Sequence, residues 1–176
     1  PPTFFTQTTA HELMPSLVGS EMRIRDRRGR DAPVSAARSV RDGRHRARVA
    51  ALQLLYLQEV GGGSAAEVGA AVERFWVEHA ASPTRRRLAM AIFEGTSAAL
   101  ERIDPLITDA AANWRLERMA VVDRLVLRMG TYELLEGEAP PAVVIDEAIE
   151  LAKAFSGDES APLVNGVLDG VRRLLV

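Results

Sequence analysis

PPAVVIDEAIELAKAFSGDESAPLVNGVLD, residues 140–169, decides the fold. Pro140-Pro141 can open a helix, because proline lacks the N–H that a first helical turn leaves unpaired. Val144, Ala148, Leu151 and Phe155 then recur at spacings of three and four, which lines one side of a helix. Asp146, Glu147 and Glu150 read as its wet face. Gly157 breaks the run, and a second helix carries Leu163, Val167, Leu168 and Leu174.

The same punctuation extends upstream. Val49, Leu52 and Tyr56 predict a helix from Arg44 to Val60, ended by Gly61-Gly62-Gly63. Ser64 can cap the next helix, about Ala65 to His79, with Val68, Val72, Phe75 and Trp76 on one stripe. Ser82-Pro83 restarts the chain as a helix to about Ile103, burying Leu88, Ile92 and Phe93. Asp104-Pro105 opens a short helix through Leu106 and Ile107. From Glu117 to Leu135, Val122, Leu125, Val126, Met129 and Tyr132 form an apolar face, with Asp123, Arg124 and Arg128 elsewhere, and Gly137 ends the helix. No segment sustains the period-two alternation of a strand. The reading is one all-α domain of about seven helices at 43–176, preceded by a basic arm at 1–42 without sustained period.

Composition narrows the function. The 176 residues include no cysteine, which excludes disulfides and thiolate metal sites. No apolar run reaches membrane-spanning length, and no signal-peptide core opens the chain. These features point to a cytoplasmic protein without membrane contact. The net charge of -2 hides a polarity. Between Met22 and Arg48 ten arginines face three aspartates, a surplus of about seven, and from Val49 onward twelve basic residues face nineteen acidic ones. A basic front on an acidic body fits two partners of opposite charge.

Catalytic chemistry has little to stand on. His11, His45 and His79 share no ligand spacing, so no metal site is expected, and His79 near a helix end reads as structural. Gly61-Gly62-Gly63 follows a helix and lacks the Lys-Ser/Thr pair of a phosphate loop. The better signal is Arg41-Asp42-Gly43-Arg44-His45-Arg46-Ala47-Arg48, where the arm becomes the first helix. Free N–H groups, the helix dipole and arginine forks all suit phosphate. Sequence-selective RNA binding also needs stacking surfaces and edge contacts, which Gln53 and Tyr56 could supply; Tyr56 equally suits the core or a partner.

Several of these pieces occur in one order. They are Arg44-His45-Arg46-Ala47-Arg48, Ala51-Leu52-Gln53-Leu54-Leu55-Tyr56, Asn113-Trp114-Arg115-Leu116-Glu117-Arg118, Val122-Asp123-Arg124-Leu125-Val126-Leu127-Arg128-Met129, Val144-Ile145-Asp146-Glu147-Ala148-Ile149-Glu150-Leu151-Ala152-Lys153 and Val164-Asn165-Gly166-Val167-Leu168-Asp169. Over about residues 44 to 175 this resembles the bacterial antitermination factors of the NusB family. The resemblance implies two packed three-helix subdomains, no enzyme activity and no cofactor. It implies binding of boxA-type single-stranded RNA from ribosomal RNA leaders, together with the ribosomal protein NusE, within an RNA polymerase antitermination complex. Homodimer and monomer both stay open.

The resemblance also assigns residues. Arg44, His45, Arg46 and Arg48 match the RNA-contacting start, with Gln53 one turn on. Tyr56, Glu117, Asp123, Arg128 and Glu159 match the NusE-facing surface. Leu163 stands where an aromatic residue is common, so a stacking contact worth roughly 1–3 kcal/mol is expected to be missing. Gly130 stands where alanine is common and should cost about 1 kcal/mol of helix propensity unless a neighbour packs closely there. The resemblance leaves a second reading, the NusB-like domain of a ribosomal RNA cytosine methyltransferase, and a third, a helical interaction protein without RNA specificity.

Overall fold

The computed structural model describes residues 32–111 and 114–176, with side chains from Ser39 onward. Seven α-helices and one 3-10 turn, and no strand, are found among them. They are α1 (Ala32–Gly61), α2 (Ala65–Glu78), α3 (Pro83–Ala98), α4 (Leu100–Ala110), α5 (Val121–Glu136), α6 (Pro141–Phe155) and α7 (Ser160–Leu174), with the 3-10 turn at Leu116–Arg118 before α5. Residues 1–31 of the expected arm, His11 among them, and Asn113 of the resemblance lie outside the described residues.

The predicted punctuation works locally. Gly62 and Gly63 adopt positive φ after α1, where side chains are disfavoured. Ser64 and Glu67 form a capping box on α2. Ser82 caps α3 with Pro83 in its first turn. Gly137, at φ 68, closes α5 in the left-handed conformation.

Two boundaries differ from expectation. α1 begins at Ala32, not Arg44, so the end of the expected arm is helical. That stretch lacks an apolar stripe, yet Ala36, Ala37 and Arg38 are good helix formers, and propagating an existing helix costs far less than nucleating one. The third predicted helix breaks early, at Ala99, and α4 runs through Pro105. Ile103 and Ile107, both fully buried and one turn apart, hold α4 together across that proline.

The helices form two groups. α1 packs chiefly on α3 with α2 alongside, while α4, α5, α6 and α7 pack on one another. These two packed groups are the all-helical, two-subdomain arrangement that the resemblance implied. α5 also touches α1 and α3 and joins the groups. One continuous core runs from Leu52, Leu54 and Phe93 through Leu125 and Met129 to Leu151, Val164 and Leu168. Leu174, expected in it, is exposed. Gly130 lies under Leu168: a Cβ there would come within 2.8 Å of Leu168 Cδ1. The missing side chain is what lets α5 and α7 approach, which is the close packing that offsets its poor helix propensity.

Candidate nucleic-acid and partner interface

The basic start of the domain divides by burial. Arg44 and Arg46 are exposed on α1, and His45 is half-exposed between them. Arg48 is 5% exposed and belongs to the fold. Its Nε donates to Glu133 Oε1 at 2.9 Å and its Nη2 to Glu133 Oε2 at 2.7 Å, a two-pronged bond to α5. Its Nη1 lies 3.7 Å from Glu147 on α6. Burial works against this guanidinium, but the hydrogen bonds to Glu133 and the charges of Glu133 and Glu147 outweigh it and raise its pKa. Arg48 was expected to contact RNA. Its position in the middle of α1 points it at the carboxylates of α5 and α6 instead.

Glu147 was expected on the wet face of α6 and is 5% exposed. It accepts a hydrogen bond from His45 Nδ1 at 2.9 Å, and Arg41 Nε stands 3.9 Å away. Arg41, His45 and Arg48 follow one another at spacings of four and three, so a single carboxylate collects one stripe of α1. An open groove of about 400 Å³ lies beside this contact, with Asp146, Glu150 and Lys153 among its lining residues. Gln53 is half-buried.

The residues expected to face a protein partner are spread more widely. Glu117, on the 3-10 turn, and Glu159, just before α7, are exposed. Tyr56 is half-buried and packs against the core. Asp123 is not a surface acceptor: it is 7% exposed, and its Oδ2 accepts from Ser160 Oγ at 3.1 Å. Asp123 begins α5 and Ser160 begins α7, so this bond ties two helix starts together. The apolar pattern hid the contact, since Asp123 lies off the Leu125–Met129 stripe and is covered by a different helix.

Arg128 is also committed within the chain. It donates to both carboxylate oxygens of Asp104 at 2.8 Å and to Glu59 at 3.1 Å. The hydrogen bonds to Asp104 raise its pKa against the opposing effect of burial. Arg124 Nη2 donates to the other oxygen of Glu59 at 2.6 Å. This network pins α5 to α4 and to the end of α1. Glu117 and Glu159 are exposed, and neither is ion-paired among the described residues.

Sequence reasoning missed Glu133, Glu147 and Glu59 as anchors. A signal existed for two of them: Glu133 follows Met129 by four, and Glu147 follows Val144 by three, so both fall on apolar stripes. His79 does serve packing, with Nδ1 3.0 Å from the Phe75 carbonyl and its ring stacked on Phe75. Leu163 is half-buried against the core. Among the described residues no group of three or more His, Cys, Asp or Glu could hold a metal ion. No helix there is long and apolar enough to cross a membrane.

Comparison with known proteins adds to this geometry. The profile of the NusB family matches residues 45–173. A transcription antitermination protein NusB from Sorangium cellulosum is 48% identical over 125 residues, 70% of this chain and 87% of that protein. Among solved structures, NusB of T. maritima superposes with a TM-score of 0.66 at 36% identity, covering 74% of this chain and 90% of that one. A structure of the antitermination factors NusB and NusE in complex with dsRNA shares the fold at 22% identity, with a TM-score of 0.63 over 78% of this chain and 98% of that one.

Proposed function

The chain belongs to the NusB family, and on that premise we propose that it is a non-enzymatic transcription antitermination factor. It binds boxA-type RNA of ribosomal RNA leaders together with NusE, and the pair helps RNA polymerase read through terminators. The observation that carries this reading is the pair of exposed arginines, Arg44 and Arg46, flanking His45 where the family match begins.

The chemistry follows from that arrangement. Two guanidinium groups and an imidazole on consecutive residues of one turn neutralise phosphates and set the RNA's position along α1. Phosphate contacts alone carry no sequence information, so discrimination must come from the His45 ring and from neighbours such as Gln53. Arg48 contributes by holding α1 against α5 and not by touching RNA. Elsewhere on the surface, exposed Glu117 and Glu159 and half-buried Tyr56 offer acidic and polar groups to a basic ribosomal protein. Asp123 and Arg128 shape that surface from beneath, through the helix starts and the Glu59 network.

The test is binding of boxA RNA and a scrambled RNA, with and without NusE, over a range of salt. The proposal expects tighter binding to boxA, strengthened by NusE and weakened by salt. Equal affinity for both RNAs, unchanged by NusE, would overturn it.

A further inference from the structure

We propose that Glu147 is a positioning residue for RNA discrimination: it fixes the His45 ring so that one edge of the imidazole is offered to the bound RNA. The inference rests on the reading of His45 as an RNA contact and adds to it a residue on a different helix, 102 positions away.

The geometry is specific. Glu147 is nearly buried on α6, while the His45 side chain keeps 39% of its surface exposed. The 2.9 Å contact is made by Nδ1, so Nδ1 carries the hydrogen given to the carboxylate. The Nε2 edge is then left as an acceptor in the neutral ring and as a donor in the imidazolium. Without the carboxylate, χ1 and χ2 of an exposed histidine sample several rotamers, and the ring loses entropy on each binding event. With it, the ring is already oriented. The carboxylate is itself held in place, because Arg48 Nη1 lies 3.7 Å away and Arg48 is clamped by Glu133. The chain of contacts therefore runs from α5 through Arg48 and α6 to the ring.

A carboxylate this close to an RNA site also repels phosphate. That effect is the same for every RNA sequence and cancels in the ratio of affinities for boxA and scrambled RNA. The ratio is thus the quantity to read. Two substitutions separate reach from charge. Glu147→Gln keeps the acceptor in reach of Nδ1 and removes the charge. Glu147→Asp keeps the charge and draws the acceptor back by one carbon–carbon bond. The proposal expects Glu147→Gln to hold the selectivity of the parent. It expects Glu147→Asp to lose roughly fivefold, the worth of about one net hydrogen bond. In a His45→Ala background the two variants should be equally selective. The inference is overturned if Glu147→Asp keeps the parent ratio, if Glu147→Gln loses as much, or if the difference persists without His45. A parent that shows no boxA preference would instead refute the functional reading beneath it. All variants use the full chain, with a thermal melt confirming that each is folded at the assay temperature.

Discussion

Replacing Arg48 by methionine should unfold the protein more readily, not merely weaken RNA binding. The side chain is 6% exposed, and its partners Glu133 and Glu147 are 13% and 7% exposed. Three close contacts to Glu133, at 2.7, 2.9 and 3.1 Å, would be lost together. Methionine roughly keeps the stem's packing and removes only the charge and the donors. Glu133 is then stranded with little access to water, while Glu147 keeps its contacts to His45 and Arg41. Breaking a buried pair from one side typically costs about 3–5 kcal/mol, whereas an exposed pair is worth only about 0–1 kcal/mol. At about 2–4 °C per kcal/mol for a chain of this size, the melting temperature should fall by roughly 10 °C. Urea denaturation gives the free energy directly, provided the slope with denaturant is unchanged. Removing Glu133 as well, in Arg48→Met with Glu133→Met, should recover part of the loss, because fewer unpaired charges remain buried. A cost below about 1 kcal/mol for Arg48→Met alone would place the guanidinium in the exposed class and refute this account of Arg48 as an anchor of α1.

Other perturbations have defined outcomes. Gly130→Ala gains about 1 kcal/mol of helix propensity but drives a methyl group to 2.8 Å from Leu168, an overpacking cost of typically 1–3 kcal/mol, so urea denaturation should show a net loss. Ser82→Ala should cost about 1 kcal/mol, measured the same way, because the hydroxyl accepts from the Arg85 backbone N–H. The backbone N–H and hydroxyl of Ser64 hold the Glu67 carboxyl below its usual range. A folded-state pKa below the unfolded one contributes stability that is complete above the ordinary carboxylate value and is lost as pH falls through the folded value. The stability difference between the parent and Glu67→Gln should therefore be present at neutral pH and vanish in acid.

Much of the fold was legible because its signals are local. Glycines after α1 and α5, serines before α2 and α3, and three-four spacing in α5 and α6 each act within a few residues. What failed depends on distant partners. Nothing near Asp104 in sequence says that two isoleucines will carry α4 through Pro105. Likewise, the charges of Arg48, Asp123 and Arg128 look like surface chemistry until Glu133, Ser160 and Asp104 are brought to them. The candidate site was half legible for the same reason. Its exposed members, Arg44 and Arg46, could be read from charge, but not from helix position, because α1 begins at Ala32 and the free N–H groups expected beside them lie at that end. Its anchors could not, apart from the hint that Glu133 and Glu147 sit on apolar stripes.

The most direct measurement is the salt dependence of boxA RNA binding for the parent and for Arg44→Ala with Arg46→Ala, variants that leave the buried ion pairs intact. If both arginines neutralise phosphates of a single strand, the slope of log affinity against log salt should flatten by about 1.4, near 0.7 per contact. The thermal melt should stay where it was. An unchanged slope and affinity in that double variant would contradict an RNA site at Arg44 and Arg46 on α1.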